Sequence, residues 1–303
     1  MLLNNIDDLP KIDELAVIIN CGTKEVSTLA LLSTLRHADM PVLVIDCESK
    51  DGSVEHFEKL MLTYSFDLLS APMQAHGMTL DWFFRTVPAE KVLLVDSDLE
   101  ILDPAIIRFM REFIDEELTF GAGFVNGPGA MGVPFNEDGF CIDANPYFEE
   151  RPWIPLTMLK VKFIREAIDE GQSFGGKVIY NDFMFSRTIS KKLAYLRARN
   201  RLLHGMNLRL PWFFRKRFYG KYPAIVYCDT GALLHCHLKY ARELYFAGLP
   251  DRHLARFTLH FGGVTRAVAF KSDVSVIEQK RKVLEEAETR LRERYGYVLP
   301  AGT

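Results

Sequence analysis

Short apolar runs alternate with helically spaced apolar residues through the first third of the chain, and that alternation predicts its elements. Residues 15–20 (LAVIIN) and 41–46 (PVLVID) read as buried strands. Between them, Leu29, Leu32 and Leu35 in 28–37 keep a helical spacing. Val54, Phe57, Leu60 and Met61 return to that spacing in 51–64, opened by a turn and cap at Asp51-Gly52-Ser53. A third strand at 66–69 and a helix at 79–86 lead to 91–95 (KVLLV), a strand that ends in Asp96-Ser97-Asp98. Strands separated by helices pair in parallel through right-handed crossovers, so the expected fold is an α/β sheet with helices on both faces.

The alternation fades after about residue 120. Residues 120–155 are rich in Gly, Pro, Asn and acidic side chains and read as irregular connections around a mouth. A helix is expected near 159–170, a strand at 222–228, and helices at 238–247 and 274–295. In the last of these Ile277, Leu284 and Leu291 stand seven apart, which predicts packing along one seam.

Composition then narrows the class. The 303 residues are 48% hydrophobic and 25% charged, enough for a sizeable core without disulfides. Five cysteines, Cys21, Cys47, Cys141, Cys228 and Cys236, lack C-x-x-C spacing and fit reduced thiols in a cytosol. Residues 1–14 carry four acidic groups and read as no signal peptide. The longest uncharged stretch, 118–136, holds five Gly and two Pro and is loop-prone, not a bilayer helix.

Ligands of open parallel sheets sit beyond the carboxyl ends of the strands. Polar clusters fall there: Asn20-Cys21-Gly22-Thr23, Asp46-Cys47-Glu48-Ser49 and Asp96-Ser97-Asp98. Two carboxylates one residue apart at a strand end converge on a divalent cation, Mg²⁺ or Mn²⁺, that also holds phosphates. An Asp-x-Asp tripeptide is also common in surface turns. A D-x-D-x-[TV] phosphatase of the haloacid-dehalogenase type is a competing reading, but Glu100 stands where Thr or Val belongs.

The stretch 16–53, AVIINCGTKEVSTLALLSTLRHADMPVLVIDCESKDGS, together with VLLVDSDLEI, resembles the nucleotide-sugar half of GT-A-fold glycosyltransferases of the family-2 type. Cys47-Glu48 departs from the family's usual residues, whereas Asp46, Ser49, Asp51, Gly52 and Ser53 keep its pattern. The resemblance implies a Rossmann-like mixed sheet flanked by helices with a C-terminal acceptor region. It divides the chain into a nucleotide-sugar half (1–118), an acceptor and catalytic half (119–270) and a C-terminal amphipathic helix (271–303). It further implies that Asn20, Thr23 and Glu25 line the nucleotide pocket and that Asp46 accepts a hydrogen bond from the base; Ser49 belongs to the same turn. A capped turn at a strand end is the alternative for Asp46 and Ser49. His76-Gly77 would lie near the donor, and Asp96, Ser97 and Asp98 would address ribose, cation and diphosphate.

In the second half, Trp153 to Leu159, Phe163-Ile164-Arg165 and Tyr180-Asn181-Asp182 follow the order of the family's acceptor region, which implies that Asp182 is the general base. Trp153 is read equally as a sugar platform or as core. His260, in LHFGGVTR, is the candidate third cation ligand, and an imidazole beside carboxylates favours Mn²⁺. Arg266 stands where some retaining relatives carry a basic residue on the diphosphate, in tension with the inverting reading of Asp182. His235, in His235-Cys236-His237 on an expected strand, is the alternative ligand, with a structural zinc as a further reading.

The formal net charge of −3 argues against a generally basic nucleic-acid binder. It is unevenly spread, however. Eleven of the 37 basic residues lie in 187–221, which has no acidic residue and includes Trp212, Phe213, Phe214, Phe218 and Tyr219. The rest of the chain then holds 26 basic against 40 acidic residues, a net −14. Such a segment suits an anionic membrane surface or a lipid-linked or glycan acceptor better than nucleic acid, with a solvated or internally paired face as the alternative. The expectation is a cation-dependent glycosyltransferase of polysaccharide, lipopolysaccharide or glycolipid assembly, using a nucleoside diphosphate sugar, inverting, and cytoplasmic at the inner face of a membrane. A nucleotidyltransferase and a non-catalytic sugar-nucleotide or membrane-binding module are the alternatives.

Overall fold

The computed structural model describes residues 1–126, 132–135, 151–175, 177–180, 225–228, 230–262 and 274–300. Its strands are β1 (Leu2–Leu3), β2 (Ile12–Asn20), β3 (Val42–Asp46), β4 (Asp67–Ser70), β5 (Ala89–Asp96), β6 (Leu99–Ile101), β7 (Thr119–Asn126), β8 (Gly132–Phe135), β9 (Arg151–Lys160), β10 (Lys177–Tyr180), β11 (Ile225–Cys228), β12 (Tyr245–Pro250) and β13 (Thr258–His260). The helices are α1 (Lys24–His37), α2 (Ser53–Leu60), α3 (His76–Thr86), α4 (Ala105–Ile114), α5 (Val161–Asp169), α6 (Ala232–Cys236), α7 (Leu254–Phe257) and α8 (Val274–Tyr295).

The fold is a mixed α/β sheet flanked by helices. Eight strands run in the order β1-β4-β3-β2-β5-β9-β7-β12. β1, β4, β3, β2 and β5 are parallel, β9 is antiparallel to both its neighbours, and β12 is parallel to β7. From β2 the chain moves to β3 and β4 on one side, and β5 returns to the other side of β2. Strand order therefore reverses between β2 and β5, which opens a crevice at their carboxyl ends. Alternation along β2 builds both faces. Leu15 and Val17 enter a core with Leu80, Phe83 and Phe84 of α3 and Ile164 of α5, whereas Ala16 and Ile18 meet Leu31 of α1, Phe57 of α2 and Ile107 of α4.

The elements expected through residue 96 are present, with ends moved by a few residues. Two later expectations are corrected. First, the two ends of 120–155 are strands of the main sheet, not irregular connections. The glycines there admit neighbouring strands: a Cβ on Gly121 would come within 2.7 Å of Leu159 Cδ2. Second, 238–247 is not one helix. A π-helical turn, His237–Ala241, ends in a bend, and Tyr245–Pro250 joins β7 as an edge strand. The expected helix near 159 begins at Val161, since Leu159 and Lys160 pair with Gly121 and Lys91 in the sheet.

As expected, α8 packs along one seam that includes Leu291. Ala287 and Leu291 are fully buried against Val26 and Leu29 of α1, with Val283 and Tyr295 partly buried beside them. Leu284 is half-buried, and the side chain of Ile277 lies outside the described residues. Among the described residues no helix is long and apolar enough to cross a membrane. Leu291→Ala should therefore lower the unfolding free energy by about 2–5 kcal/mol in urea titrations; an unchanged midpoint would mean that α8 does not dock on α1.

Candidate functional site

β3, β2 and β5 lie side by side and end at Asp46, Asn20 and Asp96, so the sheet delivers three polar residues to one rim. Asn20 and Asp46 are fully buried there. The Asn20 side-chain amide donates to Asp46 Oδ2 at 2.7 Å and to Ser49 Oγ at 3.1 Å, while its carbonyl oxygen accepts from the hydroxyls of Thr23 at 3.0 Å and Ser27 at 2.5 Å. Asp46 also accepts from the Ser49 amide, and Ser49 Oγ accepts from the Gly22 amide. The structure thus puts Asn20, Thr23, Asp46 and Ser49 into one internal network, in the form of a capped turn, that sets the path of the loops around the crevice. Asp51 extends it: its carboxylate accepts from the Lys24 amide and from the amide and hydroxyl of Ser53, which ties the starts of α1 and α2 together.

The network reaches the Asp-x-Asp turn through Thr23, whose hydroxyl lies 3.4 Å from Ser97 Oγ. Glu25 is half-buried in the first turn of α1. Ser97 and Asp98 are buried, whereas the Asp96 side chain keeps 29% of its surface open. Immediately after the turn, β6 pairs antiparallel with β13. Leu99 faces His260 across the pair, Glu100 faces Leu259, and the Phe261 amide donates to the Asp98 carbonyl at 2.9 Å. This two-stranded ribbon brings His260 to the turn from far along the chain. His260 Nε2 lies 3.0 Å from Asp98 Oδ1 and 3.9 Å from Asp96 Oδ2. The Trp153 ring stands edge-on to the imidazole, 5.2 Å between centroids, and also contacts Phe124, so Trp153 borders both site and core.

One ligand atom from each of Asp96, Asp98 and His260 lies within 4.8 Å of the others. Donors sharing one ion at about 2.0–2.3 Å stand at most about 4.5 Å apart, so slight side-chain adjustment fits this set to a cation. Two carboxylate oxygens and an imidazole nitrogen suit Mn²⁺. Burial alone would lower the His260 pKa, but the hydrogen bond to Asp98 and the charges of Asp98 and Asp96 outweigh it and raise it above the usual 6.5.

His76 is exposed at the start of α3, beside a small recess of about 10 Å³ whose walls include Ile19, Leu80, Leu94 and Ile154 and whose polar lining is His76 and Asp96. Gly77 is a packing residue: a Cβ there would come 2.5 Å from Gly175 Cα. Asp81 holds the same 173–175 loop, accepting from Ser173 Oγ and the Phe174 amide. His235 and His237 are on a helix and a π-turn, not on a strand. His235 is buried beside Phe120 and Phe246, His237 pairs with Glu170 at 2.5 Å, and neither joins the Asp96–Asp98–His260 cluster.

Cys21, Cys47 and Cys236 form no disulfide among the described residues, and burial foremost pushes Cys47 up to about 11. Asp182, Arg266, Cys141 and the segment 187–221 lie outside the described residues, as does the side chain of Cys228. The sequence reading missed β6, Ser27 and Glu100. Glu100 carried a usable signal, an acidic residue in the apolar run that follows the turn, because a buried carboxylate requires partners.

No protein-family model matches this chain, and no curated protein does. Among solved structures, the 4-diphosphocytidyl-2C-methyl-D-erythritol synthase of Anaerococcus prevotii is 10% identical, covering 54% of this chain and 77% of its own, with a TM-score of 0.41. TarS 1-349 of S. aureus is 13% identical over 92% of this chain and 85% of its own, with a TM-score of 0.39. The bifunctional IspDF of Campylobacter jejuni is 9% identical over 53% and 44%, with a TM-score of 0.37.

A raised His260 pKa means that the folded state favours the imidazolium. The stability this contributes is complete below pH 6.5 and is lost as pH rises through the raised value. Histidine-resolved NMR titration of the cation-free protein should give His260 a pKa above 6.5, and Asp98→Asn should lower it. A wild-type value at or below 6.5 would rule out the ion pair.

Proposed function

We propose that this protein is a cation-dependent glycosyltransferase that moves a sugar from a nucleoside diphosphate to an acceptor hydroxyl. The convergence of Asp96, Asp98 and His260 at the carboxyl edge of the sheet, beside the point where strand order reverses, carries the reading. A bound Mn²⁺ or Mg²⁺ would supply positive charge against the negative charge that builds on a departing diphosphate. Asp98, buried and bonded to His260, keeps its carboxylate oriented, while Asp96 reaches the crevice from the end of β5. The Asn20–Asp46–Thr23 network fixes the loops that flank the nucleotide.

Asp182 as general base and Arg266 on the diphosphate extend the reading from the sequence. The basic and aromatic character of 187–221 supports a lipid-linked or otherwise anionic acceptor at a membrane surface. A nucleotidyltransferase needs a Gly-rich basic loop to cradle a triphosphate. Here only Cys21-Gly22-Thr23 connect β2 to α1, and Gly22 and Thr23 already donate their amides to Ser49 and Asn20.

Purified protein with Mn²⁺ and a panel of nucleoside diphosphate sugars should release nucleoside diphosphate in the presence of acceptor lipid or glycan. Asp98→Asn should slow that release by on the order of 10²–10³-fold while leaving the circular dichroism spectrum unchanged, and excess chelator should abolish it. Full activity in either case overturns the cation reading. Donor binding without turnover would identify a silent module, and release of pyrophosphate from a nucleoside triphosphate and a sugar phosphate would identify a nucleotidyltransferase.

A further inference from the structure

Glu100 is fully buried two residues after Asp98, and the partners seen on its carboxylate all come from α8. Arg290 Nε donates to Oε2, Arg294 donates to Oε1 at 2.7 Å, and the Tyr295 hydroxyl donates to Oε1 at 3.0 Å. α8 is itself anchored on α1 by Ala287 and Leu291, and Arg36 of α1 donates to the Arg294 carbonyl at 3.0 Å. On the other side, Ser33 of α1 accepts from the Ile101 amide at 3.1 Å. β6 is thus gripped at consecutive residues by two elements that are packed against each other.

This grip acts on the strand that follows Asp98 and pairs with the strand bearing His260. Glu100 lies opposite Leu259, the neighbouring pair is Leu99 with His260, and the Asp98 carbonyl holds the Phe261 amide. β6 continues directly from Asp98 and pairs with β13, so its position sets where Asp98 and His260 stand relative to Asp96 at the end of β5. As a source of stability alone, a buried ion pair is a poor choice, because desolvation of the charges consumes most of the attraction and apolar residues serve as well. What three directional bonds add is a fixed position.

We propose that Glu100 is a positioning residue for the cation site, and that α8, through Arg290, Arg294 and Tyr295, sets the affinity with which Asp96, Asp98 and His260 take up a divalent cation. The proposal rests on the cation reading above. Groups that orient metal ligands from outside the ligand set typically alter affinity by about 10–100-fold when removed.

Mn²⁺ binding to the folded full-length protein, followed by electron paramagnetic resonance of the free ion, tests it without any activity assay. Wild type should bind saturably. Glu100→Gln should weaken binding on the order of tenfold, with saturation regained at higher Mn²⁺, and Tyr295→Phe should weaken it less. Ile164→Val, a core change on α5, should lower thermal stability without moving the affinity, which separates positioning from general destabilisation. If Glu100→Gln does not fold, Tyr295→Phe and Arg294→Lys decide in its place. Affinities equal to wild type in the folded variants overturn the proposal and leave the cation reading standing. Absence of saturable binding in wild type overturns the cation reading and the proposal with it.

Discussion

Carboxylates gathered at the rim of an apolar sheet must each be supplied with donors or a counter-charge, and the structure around the crevice is organised by that requirement. Asp46, Asp96, Asp98 and Glu100 all fall at or just beyond the ends of β3 and β5. Asp46 is fully buried and is satisfied by neutral donors, the Asn20 amide and the Ser49 backbone. Glu100, equally buried, receives two guanidinium groups and a phenol. Asp98 receives the His260 imidazole. Asp96 keeps the most open surface of the four, at the mouth of the recess. The gradient from neutral cradle to charged clamp to titratable partner runs from scaffold towards chemistry.

That gradient also explains which parts of the molecule were legible in the sequence. β2, β3 and β5 could be read because a strand buried on both faces is a continuous apolar run, and the residues at its end are the ones the sheet presents. Asp96 and Asp98 followed from β5 in the same way. Asn20 and Asp46 were located correctly as strand-end residues, but sequence position does not reveal whether a carboxylate faces a ligand or an amide on the next strand. That depended on the register pairing of Asn20 with Asp46.

The remainder depended on contacts between distant segments. β6 and β13 have three residues each, too short for any periodicity, and their pairing chose His260 over His235 as the partner of Asp98. His235 was expected on a strand because the apolar residues around it suit a strand or a buried helix equally. Glycine composition likewise read as loop in β7, where it serves close strand approach at Gly121. In α8 the sequence placed Leu291 on the seam, whereas the burial of Ala287 followed from the docking on α1.

The pairing of His260 with two carboxylates has a consequence for how a cation site of this kind is tuned. The field of Asp96 and Asp98 that favours a divalent cation also favours a proton on the imidazole, so the two compete for one nitrogen. A stronger field raises cation affinity at high pH but moves the onset of binding upward, because more of the imidazole must first be deprotonated. Half-exposing Asp96 while burying Asp98 moderates this competition, since solvent screens one of the two charges. Precise separation of the three side chains then matters more than added charge. Asp96 comes from the end of β5 and His260 from β13, so that separation depends on how the short β6–β13 ribbon is held against the main sheet.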